Sequence, residues 1–148
     1  MYGPPVDLSF RSLAQISDAL AAKPQNRHRS AKTNSEGKYV CCSMILNNNK
    51  LPNLVGFLDV LNHFVDQPLK LMWLDMSFNK LKTYLYLHVS NLVCTCCLFF
   101  FCRRYVISNL TQLKMMDFSA VTRDERVMAG IWRHSKIQSK GTKESSHD

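Results

Sequence analysis

The sequence predicts an α/β fold in which short parallel strands and helical connectors repeat along the chain and stack into a solenoid. Two segments carry the same spacing of apolar residues followed by an asparagine, CCSMILNNNKL at 41–51 and LKLMWLDMSFNKL at 69–81. Asn49 and Asn79 are 30 residues apart, and a helical pattern of apolar residues lies between them. The unit therefore reads as strand, asparagine turn, helix and strand.

Both segments fit the pattern L-x-x-L-x-L-x-x-N-x-L, which is the leucine-rich repeat signature. The pattern positions are Cys41, Met44, Leu46, Asn49 and Leu51 in the first segment and Leu71, Leu74, Met76, Asn79 and Leu81 in the second. In such a repeat each Asn is structural, because its inward-pointing side chain holds the turn after the strand. The predicted fold is a short leucine-rich repeat solenoid, with parallel strands, helical connectors and a helical C-terminal cap. Residues 39–90 form its repeat region.

The connector between the two segments is predicted to be a helix. Val55, Leu58, Leu61 and Val65 recur at helical spacing, and Pro68 ends the pattern. A helix between two strands is the connection that parallel pairing needs.

Residues 1–38 are predicted to form an N-terminal helix followed by a basic flexible loop. Leu13, Ile16 and Leu20 have helical spacing, and the pattern ends before Pro24. A helix there would cover the apolar face of the terminal repeat. The stretch QNRHRSAKTNSEGK that follows is polar and basic, which is typical of a loop.

Residues 103–134 are predicted to form a C-terminal cap. Thr122 and Glu125 have the spacing of a helix capping box. After Arg133 the chain becomes polar, so residues 135–148 are predicted to be a disordered tail. The predicted apolar positions of the cap are Leu113, Met116, Phe118 and Val121 in the strand region and Val127, Met128, Ile131 and Trp132 in the helix.

Taken in order, PPVDLSFRSL, LNNNKLPNL, WLDMSFNKL, LYLH and RRYVISNLTQLKMMDFSAVTRDERVMAGIWR resemble the leucine-rich repeat-containing protein 51 family. The resemblance implies a cytoplasmic, non-enzymatic repeat protein, and it supplies no catalytic or ligand-binding residue. The chain departs from the family after Leu81. The next strand motif, Tyr84 to His88, follows too closely for a parallel crossover, which needs a dozen or more residues. A full central repeat before the cap also has no counterpart, so the sequence is interpreted as a shortened or variant form.

Residues 91–102 stand in that place as an atypical apolar insert, NLVCTCCLFFFC. Four interpretations remain open. A membrane segment would need about 20 apolar residues, and a zinc site would need two separated pairs of ligands rather than four clustered cysteines. The insert could also be a buried strand or helix that replaces the missing repeat. Finally, its composition resembles a translated pyrimidine-rich intron end.

Composition and motifs favour a binding protein over an enzyme. Apolar residues make up 46% of the 148 residues, which suffices for one domain with a core. The net charge is +8, but the basic clusters lack the interleaved aromatic residues that stack on bases, so no nucleic acid is expected. No charged and apolar leader opens the sequence, and a cytoplasmic location with reduced cysteines is expected. No phosphate loop, nucleophile elbow, metal-ligand spacing or cofactor motif is present.

Side chains alternate across a strand, so the residues between the core positions should form a protein-binding concave face. Trp73, with neighbouring Tyr, His and Asp side chains, has the composition of a binding hot spot. The alternative is that Trp73 packs on the N-terminal segment. The predicted function is a protein-protein interaction module with an unidentified protein partner, and the runner-up is a small membrane-associated protein anchored by Leu92 to Cys102. The predicted face comprises Ile45, Asn47, Trp73, Asp75, Ser77, Tyr84, Tyr86 and His88.

Overall fold

A single five-stranded sheet organises the protein in the computed structural model, which describes residues 2–25, 31–81 and 95–141. The strands lie in the order of the sequence. The first four are parallel, and the last forms an antiparallel hairpin with the fourth. The strands are β1 (Val6–Asp7), β2 (Ser43–Ile45), β3 (Trp73–Asp75), β4 (Met115–Met116) and β5 (Ser119–Ala120). This parallel, sequential order confirms the predicted α/β repeat fold.

One row of side chains runs across the four parallel strands into the core. In register, Val6 pairs with Met44, Met44 with Leu74, and Leu74 with Met116, and all four side chains are almost completely buried. Leu8, Leu46 and Met76 follow two residues later and are buried as well. We call one strand together with the turn that follows it a rung. The alternation that the repeat signature predicts is therefore present in three successive rungs.

The N-terminal segment differs from the prediction because it contributes a rung of the sheet. Val6, Leu8 and Leu13 occupy the core positions of a repeat, and β1 pairs with β2. A 3-10 helix at Ile16–Ala21 follows, in which Ile16 is buried but Leu20 is exposed. Ala19 takes the inward position instead, since a 3-10 helix has three residues per turn and places residue i+3 over residue i.

The second half of the predicted flexible loop is an ordered turn. The Asn34 carboxamide oxygen accepts hydrogen bonds from the Glu36 and Lys38 backbone N–H groups. Its amide nitrogen donates to Asp66, 2.5 Å away, just after the connector helix. One Asn side chain thus closes the turn and attaches it to the next connector.

The connector helix α1 (Phe57–Phe64) confirms the predicted helix and most of its predicted core face. Of the predicted positions, Leu61 and Val65 are buried and Leu58 packs against the core. Val55 is the exception, because it precedes the helix and is exposed. The buried positions within the helix have the spacing i, i+3, i+4 and i+7 and are Phe57, Val60, Leu61 and Phe64.

Helix α2 (Thr95–Asn109) begins inside the predicted apolar insert and continues into the predicted cap. Val106, Ile107 and Leu110 at its C-terminal end are buried in the common core. Of the interpretations of the insert, the described residues therefore show a helix that connects β3 to β4.

The cap hairpin corrects one predicted core position. Leu113 and Met116 are buried and Val121 packs against the core, but Phe118 is exposed. Asp117 and Phe118 both have positive φ angles, 49° and 64°, which turn the chain from β4 into β5. This is the backbone of a tight two-residue hairpin turn, and it directs Phe118 away from the core.

Helix α3 (Arg123–Gly141) starts at the predicted capping box. The Thr122 hydroxyl accepts a hydrogen bond from the Glu125 N–H, and the Glu125 carboxylate accepts one from the Thr122 N–H. The helix extends seven residues into the predicted disordered tail. The predicted apolar stripe is largely wrong, because Val127, Met128 and Ile131 are exposed while Ala129 is buried.

Candidate protein-binding face

The side of the sheet opposite the core row carries the predicted concave face, and we call it the open face. In register across three strands, Ser43 lies beside Trp73 and Trp73 beside Met115. Ile45 lies beside Asp75 in the next row. Alternation along the strands places these side chains away from Met44 and Leu74, which point into the core.

Trp73 lies at the centre of the open face. Its side chain is partly exposed, and it is not among the hydrophobic residues that form or pack against the core cluster. Ser43 on one side is small, and Met115 on the other is partly exposed. An indole ring in this position offers apolar area and an N–H donor to a partner.

Asp75 occupies the predicted row but is only 2% exposed, so a partner cannot reach it readily. One carboxylate oxygen accepts hydrogen bonds from the Ser77 N–H, at 3.0 Å, and the Ser77 hydroxyl, at 2.6 Å. The other accepts one from the Asn47 amide, at 2.6 Å. We therefore correct its predicted role: Asp75 orders the open face and holds Asn47 in place.

The first rung has the same arrangement: the Asp7 carboxylate accepts hydrogen bonds from the Ser9 N–H and hydroxyl. The sequence signal is a repeated Asp-x-Ser, at 7–9 and again at 75–77. Sequence analysis did not use it. Such short side-chain turns satisfy backbone groups where a strand ends.

The remaining predicted residues of the face divide into two groups. Ile45, Asn47 and Ser77 are partly exposed and surround Trp73 and Asp75. The predicted contributions of Tyr84, Tyr86 and His88 lie outside the described residues.

Asn49 is the buried centre of the first turn. Its amide oxygen accepts hydrogen bonds from the Arg11 and Leu13 N–H groups of the preceding rung, at 3.0 and 3.1 Å. Its amide nitrogen donates to the carbonyls of Leu8, in the preceding rung, and Leu46, in its own rung. Each repeat Asn thus joins two rungs.

Asn79 repeats this geometry one rung later. Its oxygen accepts from the Leu51 N–H, and its nitrogen donates to the carbonyls of Leu46 and Met76, both at 2.9 Å. Because each Asn serves the rung before it, the first rung needs none, and Arg11 stands at the equivalent position. Gln25 instead donates from its backbone to Asp7 and from its side chain to Ser9.

Asp117 ends the strand ladder at the other side of the sheet. Continued pairing would have the Met76 N–H donate to the Asp117 backbone carbonyl, as the Leu46 N–H does to Asp75. The chain turns away at Asp117, and its side-chain carboxylate accepts that hydrogen bond at 2.6 Å. Burial, followed by the nearby negative charge of Asp75, raises the pKa of Asp117.

Replacing Asp117 with Asn should stabilise the protein at neutral pH, because an amide oxygen can still accept from Met76 without a buried charge. A raised folded-state pKa gives stability that is present at low pH and is lost as pH rises through that pKa. The Asp117→Asn variant, which has no carboxyl group to ionise here, should therefore not lose this stability as the pH rises. Asp117→Ala should cost about 1–3 kcal/mol by leaving the Met76 N–H unpaired. Chemical denaturation between pH 4 and 8 compares the three proteins, and an Asn variant as unstable as the Ala variant would contradict this account.

The described residues offer little for chemistry. Within them no three His, Cys, Asp or Glu side chains are grouped as a metal site would require. No helix there has both the length and the apolar character needed to cross a membrane. Cys41 and Cys42 are free thiols, and burial raises the pKa of Cys41, which lowers its reactivity.

Comparisons with known proteins agree on one family. No protein-family model matches the chain. Proteins named leucine-rich repeat-containing protein 51 from Rattus norvegicus, Mus musculus and Homo sapiens are each 31% identical to it, over 93% of this chain and 88% of theirs. A chain from the crystal structure titled Drosophila melanogaster SNF/U2A' complex aligns with a TM-score of 0.44 and 20% identity, over 70% of this chain and 48% of that one.

The alignment to these relatives also measures the predicted shortening. It spans 170 positions, whereas 93% of 148 residues is about 138, so about 32 aligned positions have no residue in this chain. That difference is comparable to one repeat, for which the usual range is roughly 20–29 residues. The matched identity and coverage place the chain in the leucine-rich repeat-containing protein 51 family.

Proposed function

We propose that this protein is a non-enzymatic interaction module that binds a protein partner on the open face of its sheet. The observation that carries the proposal is Trp73, a partly exposed indole at the centre of a sheet face whose other side is fully packed. Ser43 and Met115 flank it, and Asn47 and Ser77 supply polar groups nearby. Aromatic residues surrounded by small and polar side chains dominate binding energy at many interfaces.

Rigidity supports this function as well. The Asp75 carboxylate fixes Ser77 and Asn47, so part of the face is ordered before a partner arrives. Binding to a preorganised surface avoids part of the entropy cost of association.

Membrane anchoring through Leu92 to Cys102 is the alternative, and it is less well supported. The described part of that segment belongs to α2, and no helix within the described residues has the length and apolar character to span a membrane. The same helix continues into the core through Val106 and Ile107. The predicted cytoplasmic location remains a proposal that the free thiols of Cys41 and Cys42 favour, since a reducing compartment maintains cysteines in that state.

Replacing Trp73 with Ala should weaken partner binding by about 2 kcal/mol or more and leave the fold intact. The full chain is expressed in cells as the bait, and the proteins that it captures are identified. The amount of each captured protein is then compared with the amount captured by the Trp73→Ala variant. A captured protein is then purified and titrated. In a Trp132→Phe background Trp73 is the remaining tryptophan of the two in the chain, so its emission should shift on binding.

The matched control is Leu69→Ala, which removes an exposed apolar side chain just before β3 and off the open face. Equal capture by the Leu69 and Trp73 variants would contradict the proposal. Loss of folding in Trp73→Ala would instead place the indole in a structural role.

A further inference from the structure

Three residues that follow the strands share one unusual backbone conformation. Phe10, Asn48 and Phe78 follow β1, β2 and β3 at equivalent positions, with φ angles of 54°, 52° and 55°. Backbone hydrogen bonds link the row, from Phe10 to Asn47 and from Asn48 to Ser77. We call residues 10–12, 48–50 and 78–80 the strand-end rim.

The two phenylalanines are costly at these positions. The left-handed conformation suits Asn, which the second rung has, better than it suits a bulky side chain. Phe10 is 67% exposed and Phe78 is 75% exposed, so neither ring gains much from burial. Each ring therefore combines backbone strain with exposure to water. Strained residues of this kind concentrate at functional sites.

The rim is also positively charged. Arg11, Lys50 and Lys80 are exposed within it, and the nine rim residues include no carboxylate. No ion pair to these three cations exists in the described parts of the chain. Adjacent parallel strands lie about 4.8 Å apart, so Phe10 and Phe78, two rungs apart, are separated by roughly 10 Å.

We propose that the strand-end rim is a second binding surface, which takes an acidic segment of a protein partner. Phe10 and Phe78 receive apolar side chains of the segment, and Arg11, Lys50 and Lys80 pair with its carboxylates. The spacing of the rings suits a peptide better than single-stranded nucleic acid, whose successive bases stack on successive aromatic residues. This surface lies at the strand ends, does not include Trp73, and does not depend on the open face.

The test selects peptides from a phage-displayed library of random dodecapeptides on the immobilised full chain. Enriched peptides should combine Asp or Glu with aromatic or aliphatic residues. A synthetic peptide of that sequence should lose affinity about tenfold or more on Phe78→Asn, as expected for an aromatic anchor. Binding should also weaken in Lys50→Glu and Lys80→Glu and at high salt. Phe10→Asn and Phe78→Asn should melt at a higher temperature than the parent, because Asn tolerates positive φ.

Val55→Asn is the matched control, since Val55 is 78% exposed but lies outside the rim. It should retain peptide binding, and so should Trp73→Ala, which separates this proposal from the function of the open face. No enrichment, enrichment of peptides without excess acid, or affinity unchanged by both Phe substitutions would overturn the proposal. Equal, Phe-dependent binding of a short single-stranded oligonucleotide would also overturn it and would assign the rim to nucleic acid.

Discussion

Replacing Arg103 with Ala is expected to lower the free energy of unfolding by about 3 kcal/mol, because two backbone carbonyls and a carboxylate lose their partner together. Arg103 is 5% exposed, on the core side of α2. Its guanidinium donates to the backbone carbonyls of Met116, at 2.9 Å, and Ala120, at 3.2 Å. It also forms an ion pair with Glu125 at 2.5 Å. One side chain thus joins α2, both strands of the cap hairpin and the start of α3.

Arg104→Ala is the matched control. Arg104 is the next residue of the same helix, it is partly exposed, and within the described parts of the chain it has no side-chain hydrogen bond or ion pair. Its replacement should change stability by about 0.5 kcal/mol or less, as for ordinary surface positions. Equal denaturation midpoints for the two variants would show that the Arg103 network does not hold the cap.

The pH dependence gives a second measure of the same network. Hydrogen bonding to Arg103, more than any other cause, lowers the pKa of Glu125. A lowered folded-state pKa contributes stability that is present above the unfolded-state pKa and is lost as pH falls through the folded-state pKa. As the pH falls, the parent should therefore lose stability because Glu125 becomes protonated. Arg103→Ala should show a smaller loss over the same pH range.

The sequence predicted those features that a local pattern determines. The two repeat segments, the helix between them and the capping box are each written within about a dozen residues, and each was found. The Asn turns belong to this group only in part. The spacing identifies Asn49, but its oxygen accepts from Arg11 and Leu13, 38 and 36 residues away. Arg103 could not be found in this way, since its partners lie 13, 17 and 22 residues further along the chain.

The errors also have a common physical cause. Helical spacing allowed more than one buried face, and tertiary packing selected among them. In α1 the predicted positions Leu61 and Val65 are buried, but Val55 lies before the helix and is exposed. Phe57 and Phe64 complete the buried face instead. In α3 the predicted stripe of Val127 and Ile131 faces solvent, while Ala129 lies against the rest of the protein. The first strand was missed because Arg11 replaces the expected Asn.

The candidate binding face was predictable in position but not in detail. Strand alternation places Trp73 and Asp75 on one side of the sheet, and the register confirms that they share it with Ser43 and Met115. Alternation does not predict how far each side chain on that face is exposed to solvent. Asp75 became buried because Asn47 and Ser77 cover its oxygens, which depends on a neighbouring strand that the single motif does not describe.

Replacing Asn49 with Ala is expected to destabilise the protein more than replacing Asn79. Asn49 is buried and serves two N–H groups of the first rung, Arg11 and Leu13, whereas Asn79 is partly exposed and serves one, that of Leu51. Each buried group left unpaired costs about 1–3 kcal/mol, so Asn79→Ala should lose about that amount and Asn49→Ala about 3 kcal/mol or more. Asn62→Ala, on the exposed side of α1, is the control and should change little.

Hydrogen exchange can separate this specific effect from general destabilisation. Because the Asn49 oxygen accepts from the Arg11 and Leu13 amides, those two should exchange faster in Asn49→Ala, while Asn79→Ala should mainly expose the Leu51 amide. Amides of this kind can exchange through local openings that cost less free energy than global unfolding, so a local change can be detected while the rest of the protein stays folded. If both variants accelerate the same amides, or if Asn49→Ala melts at the parent temperature, the Asn side chains do not connect successive rungs. The expected pattern would show that each Asn stabilises the turn of the rung before it. A first rung with Arg11 in place of Asn is then stabilised by Asn49 of the second rung.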